Sequence, residues 1–133
     1  MRVLALDYGS ARCGCALSDP TGTIVTPIEP VTKPASRRGL AALGQLVSER
    51  DVERVVVGLP LSLRGEDTDQ TRETRAFAET LAQRLGEEVP VELLDERFTT
   101  RIAASMENAR TSEDSRAAAV LLEGWLARFE IRP

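Results

Sequence analysis

Val3-Leu4-Ala5-Leu6-Asp7-Tyr8-Gly9 stands almost at the start of the chain, four apolar residues running straight into an acid with a glycine two places later. A continuous apolar run of this length reads as a strand buried on both faces, the kind found in sheets covered by helices on each side. Gly9 has no Cβ and permits a sharp turn or the close approach of another group. A carboxylate at the end of a buried strand is costly to keep charged unless a metal, a cation or water meets it. Asp7 is therefore either the rim of a site or a turn residue that closes a strand.

Outward from this stretch, Arg12 to Ser18 reads as a second strand, and Asp19-Pro20-Thr21-Gly22 supplies turn residues. Residues 23–28 give a third strand, whose Pro27, with Pro30 beyond it, suits a sheet edge because proline cannot donate to a ladder. Three strands joined by short links imply an antiparallel meander. The period then changes. Ser36 is placed to cap a helix in which Leu40, Leu43 and Val47 recur, up to about Arg50. Val55-Val56-Val57 is a β-branched run ending at Gly58 and Pro60, a second buried strand. A polar loop with Gly65, Asp67 and Asp69 leads to a helix whose Phe77, Leu81 and Leu85 share one face and which Gly86 stops. Residues 89–94 form a fifth strand that again runs directly into acids, Asp95-Glu96-Arg97. Helices over about 100–108 and 112–129 follow.

The order βββαβαβαα predicts an α/β fold in one domain over 1–133, with a mixed five-stranded sheet flanked by helices. Right-handed crossovers bring the C-terminal ends of the parallel strands to one edge, where open α/β sheets bind ligands.

The chain has 133 residues, an apolar fraction of 42% and a charged fraction of 29%, the balance of an ordinary globular protein. No stretch approaches the roughly 20 apolar residues needed to cross a bilayer, and no export signal is legible, so a cytoplasmic location is expected. Cys13 and Cys15 point to one face of their strand and read as small buried residues of a reducing compartment. There is no histidine, which excludes imidazole-based triads and imidazole metal sites. Acid–base or metal chemistry then falls to the 21 carboxylates. A net charge of −4 means that any nucleic-acid role needs locally grouped arginines or metal ions.

Two buried strands end in carboxylates, at Asp7 and at Asp95-Glu96. Asp114 is a third candidate: with Ala118, Leu121, Leu122 and Trp125 it falls on the apolar stripe of the last helix, in the first turn. It also suits the positive end of the helix dipole, so a structural role competes with a chemical one. Three carboxylates without histidine suit divalent-metal phosphoryl transfer, in which hard oxygen ligands hold Mg²⁺ or Mn²⁺.

Leu4-Ala5-Leu6-Asp7-Tyr8-Gly9, Gly58-Leu59-Pro60, Asp95-Glu96-Arg97-Phe98-Thr99-Thr100, and Asp114-Ser115 with Ala118 to Glu123 follow one another in the order seen in the YqgF/RuvX family. The chain resembles that family over essentially its whole length, and the Asp-Glu-Arg-Phe-Thr-Thr motif after a strand is its most specific element. The resemblance implies a ribonuclease H-like fold and a metal-dependent nuclease, described in that family as a pre-16S rRNA processing enzyme and as a Holliday junction resolvase. It implies Asp7, Glu96 and Asp114 as catalytic, metal-binding acids for Mg²⁺ or Mn²⁺, with Asp95 as the alternative to Glu96, since neighbouring strand residues face opposite ways. Arg97, Thr99 and Thr100 are candidates for a substrate phosphate; ion pairing by Arg97 and helix capping by the threonines are the structural alternatives.

Relatives carry a longer basic segment before the last acid, whereas residues 107–113 here contain one arginine. Phosphate contacts are therefore sought at Arg12 and Arg75, with Arg37, Arg38, Arg64 and Arg72 as further candidates. The expected partners are structured RNA or branched DNA, ribosomal precursor particles among them, and no membrane; the chain acts as a monomer or homodimer. Two other classes compete. Actin- and hexokinase-like ATPases share the Asp-x-Gly turn but close two such domains over a nucleotide, and an assembly factor that kept the fold without catalysis would suit the net acidity.

Overall fold

The computed structural model describes residues 1–96 and 113–130. Five strands, β1 (Val3–Asp7), β2 (Arg12–Ser18), β3 (Val25–Thr32), β4 (Arg54–Leu59) and β5 (Val91–Asp95), form one sheet in the order β3-β2-β1-β4-β5. β1, β2 and β3 are antiparallel neighbours, while β4 pairs parallel with β1 and β5 parallel with β4. The expected meander and mixed sheet are both present. β3 starts two residues later than the sequence indicates and continues through Pro30 to Thr32, which an edge strand tolerates because its outer N–H groups have no partner to lose. β5 likewise runs on to Asp95.

Two helices, α1 (Arg37–Glu49) and α2 (Asp69–Leu85), cover one face, and α3 (Glu113–Glu130) lies across the other. Ser36 caps α1, its hydroxyl accepting from Gly39 N. α2 starts earlier than its apolar face shows, at a Thr68–Thr71 capping box whose Thr71 hydroxyl also donates to the Pro60 carbonyl. That bond ties the first turn of α2 to the end of β4. Gly86, at φ +77°, ends α2 as expected. The helix expected over 100–108 lies outside the described residues.

The sheet divides its side chains by the two-residue pleat. Leu4, Leu6, Val55 and Val57 pack with Leu43, Val47, Phe77 and Leu81 under α1 and α2. Val3, Ala5, Ala16 and Val56 pack with Ala118, Leu121, Leu122 and Trp125 under α3. β1 and β4 are apolar at successive positions because both their faces are covered. Each large side chain buried in this way stabilises the fold by roughly 1.5–3 kcal/mol before the entropy of ordering it is counted. Cys13 and Cys15 are buried on the α1–α2 face and are not joined in a disulfide. α3 is pinned at both ends. Ser115 Oγ donates to the Ile28 carbonyl (2.5 Å), and Trp125 Nε1 donates to Glu92 (3.1 Å), which also pairs with Arg54 (3.3 Å).

Candidate active site

The pleat decides which acids meet. In β1 it sends Val3 and Ala5 under α3, so two residues further on Asp7 emerges on the α3 face and Tyr8 on the other, where it is buried with Phe77. In β4 it places Gly58 on the α3 face, with Leu121 Cδ2 3.1 Å from where a Cβ would stand. In β5 it puts Leu94 under α3. Asp95 then turns away and Glu96 turns in. Glu96 therefore shares a face with Asp7, and Asp95 points to the other.

β4 lies between β1 and β5, so the two acids are separated by a strand. Gly58 closes that gap. Glu96 Oε1 is 2.5 Å and Cγ 3.0 Å from the position a Cβ on Gly58 would take, so the Glu96 side chain lies across bare backbone. From there its carboxyl group hydrogen-bonds Asp7. Burial, first, and the charge and hydrogen bond of Asp7, next, push the Glu96 carboxyl up to about 7 from an ordinary 4.5, with a smaller push from Asp95. Two carboxylates held this closely share a proton near neutrality unless a cation joins them.

Asp114 opens α3 at the same edge. Ser115, the next residue, accepts a hydrogen bond from Cys15 N (3.4 Å), and Cys15 follows Gly14, the cross-strand partner of Asp7. The first turn of α3 is thus held beside the end of β1. The Asp114 side chain is not among those described, and among the described residues no three acidic groups gather closely enough to enclose an ion.

Other residues singled out from the sequence fall differently. Arg97, Thr99 and Thr100 lie outside the described residues. Arg12 is exposed at the start of β2, opposite Thr32 and at the same edge as Asp7. Arg75 belongs to α2, on the opposite face, where Asp67 holds it through two bonds of 3.0 and 3.2 Å. It is not brought together with the acids. Gly58 is the residue that sequence reading passed over as a strand end. Its signal was there: a glycine within a buried strand, after three valines and before Leu59, marks a place where another group approaches the backbone closely.

A family model described as "RuvX: Holliday junction resolvase" matches residues 1–128. Two curated relatives carry the name "Putative pre-16S rRNA nuclease". One, from Maridesulfovibrio salexigens, is 37% identical over 96% of this chain and 99% of its own length. The other, from Myxococcus xanthus, is 41% identical over 95% of this chain and 87% of its own. Among solved structures, Thermus thermophilus RuvC in complex with a Holliday junction substrate superposes with a TM-score of 0.65 at 16% identity, covering 97% of this chain and 96% of that one. At that identity the likeness concerns the fold, which is ribonuclease H-like.

Proposed function

The chain belongs to the RuvX family, and from that membership we propose that it is a divalent-metal-dependent nuclease that trims the 5′ end of precursor 16S rRNA. The observation that supports a metal is the meeting of Asp7 and Glu96. Two oxygen-donor carboxyl groups are hydrogen-bonded to each other at the end of parallel strands, where a hard cation would relieve their repulsion. That donor set fits Mg²⁺ or Mn²⁺, held by Asp7 and Glu96, with Asp114 as the third ligand in this reading. When bound, the cation polarises the phosphoryl oxygen and neutralises the charge that builds up on it.

The chain's own residues prepare that event. Gly58 leaves the space through which Glu96 reaches Asp7. Glu96 gives up its proton as the site loads, so loading strengthens with rising pH through about 7. Ser115 anchors the first turn of α3 and so carries Asp114 to the edge where the other two acids stand. Leu121 packs against Gly58, and Leu94 is buried with it under α3.

Cleavage of four-way DNA junctions is the second reading, favoured by the family model's description and by the fold shared with RuvC in complex with a Holliday junction substrate. The test is purified wild type and Asp7→Asn with Mn²⁺ or Mg²⁺ on single-stranded RNA, precursor rRNA and four-way junctions. The proposal expects metal-dependent cleavage of the precursor by wild type alone. Cleavage confined to junctions would favour the second reading, and cleavage of nothing would overturn both.

A further inference from the structure

At the sheet edge where Asp7 ends, but on the side of α1 rather than α3, three exposed cations gather that have no acidic partner among the described residues. Lys33, the chain's one lysine, directly follows β3, and Arg37 and Arg38 are the first two residues of α1. The turn between them is tight: Ser36 N and Oγ both donate to the Lys33 carbonyl (3.0 and 2.7 Å). All three side chains are exposed, and among the described residues none lies within ion-pair reach of an acid. Arg72 and Arg75, by contrast, are tied to Asp69 and Asp67. Lys33 and Arg38 border a groove of about 620 Å³ between β3 and α1, floored by Pro30, Val31 and Ala42 and lined by no acid.

Two features argue against a merely structural role. Arginines in a helix's first turn meet the positive end of its dipole and cost stability. Three exposed cations with no acidic partner among the described residues also concentrate positive potential in a chain whose net charge of −4 otherwise repels polyanions. Position supplies the link to the site. Lys33 N donates to the carbonyl of Ala11 (2.8 Å), in the turn that leaves Asp7, and β3 lies two strands, or about 10 Å, from β1.

We propose that Lys33, Arg37 and Arg38 form a phosphate-binding surface that grips the backbone of the substrate strand a few nucleotides from the bond being cut. The apolar groove floor accepts sugar and base faces while the cations hold phosphates. This rests on the nuclease reading, so binding is measured apart from cleavage.

The experiment uses fluorescence anisotropy of a labelled single-stranded RNA and a labelled four-way DNA junction, in EDTA, across a salt series. The combined variant Lys33→Ala/Arg37→Ala/Arg38→Ala is expected to bind both probes about tenfold or more weakly and to lower the slope of log affinity against log salt by about 2–3. Arg50→Ala removes one positive charge at the opposite end of α1; beside the single variants Lys33→Ala, Arg37→Ala and Arg38→Ala it is the control for charge removal elsewhere and should bind as wild type. Wild-type affinity and slope in the triple variant would overturn the surface, as would a wild type that binds neither probe. A loss confined to one probe with an unchanged salt slope would also overturn it, since a phosphate grip is blind to base identity. Wild type that binds through these residues yet cuts nothing would leave the surface standing and remove the nuclease reading instead.

Discussion

The two faces of the sheet end differently at one edge, although the same three strands supply both. On the α3 face the strands finish in Asp7, Gly58 and Glu96. On the α1–α2 face they finish in Tyr8, Leu59 and Asp95, one residue away in each case. Tyr8 stacks on Phe77 with ring centroids 4.5 Å apart, and burial together with Glu73 raises its hydroxyl pKa. One face closes as an aromatic core, and the other closes as a pair of acids over a bare strand. A shift of one residue in any strand would exchange them. The difference teaches that the site depends on register as much as on residue identity.

The largest effect expected from breaking this comparison is at Asp7. Asp7→Asn removes one carboxylate of the pair and should lower cleavage by on the order of 10³-fold or more while leaving the thermal transition intact. Undiminished cleavage by a clean preparation would place the chemistry elsewhere.

Gly58→Ala comes next, because its Cβ meets Glu96 and Leu121 together. Displacing Glu96 should weaken Mn²⁺ binding and reduce cleavage by about 100-fold, while overpacking costs roughly 1–3 kcal/mol of stability. Calorimetric titration of Mn²⁺ separates the two consequences. Unchanged metal affinity would show that Glu96 does not need the space.

The pH dependence is smaller. The Glu96 carboxyl is protonated in the fold at pH values where it ionises in the unfolded chain, so the fold binds more protons between about 4.5 and 7. Its contribution to stability is therefore fully present below about 4.5 and is lost as pH rises toward 7. After allowance for its partial exposure this amounts to about 1–2 kcal/mol in metal-free protein. Denaturant midpoints measured at pH 5 and 7.5 should show the fall, Asp7→Asn should lessen it while the part due to burial of Glu96 remains, and Mn²⁺ should offset it at the higher pH. A wild-type profile no steeper than that of Asp7→Asn would mean that the two carboxyls do not share a proton.

The smallest effect belongs to the other face. Tyr8→Phe keeps the stack and loses the hydrogen bond to Glu73, for about 0.5–1.5 kcal/mol of stability, with cleavage within about twofold of wild type. A large loss of activity there would make both faces functional and end the contrast.

Much of this was legible before any coordinates. The apolar runs at Val3 and Val55, the cap at Ser36, the stop at Gly86 and the stripe from Ala118 to Trp125 are local patterns, and each element formed where its pattern lies. The absence of histidine confined the chemistry to carboxylates, and Asp7 at the end of a doubly buried strand was already the leading candidate. Other features depended on non-local pairing. Whether Glu96 or Asp95 faces Asp7 follows from the register of β5 on β4 and from which face α3 covers. Gly58 matters because β4 came to lie between the two acids, and Lys33 reached the edge where β1 ends because β3 paired with β2 in the register that sets Thr32 opposite Arg12. Periodicity is written in neighbouring residues, so sequence alone determined the elements and the kind of chemistry. Juxtaposition arises between residues distant in the chain, so only the tertiary structure decided which acids meet and which sheet edge the exposed cations share with them.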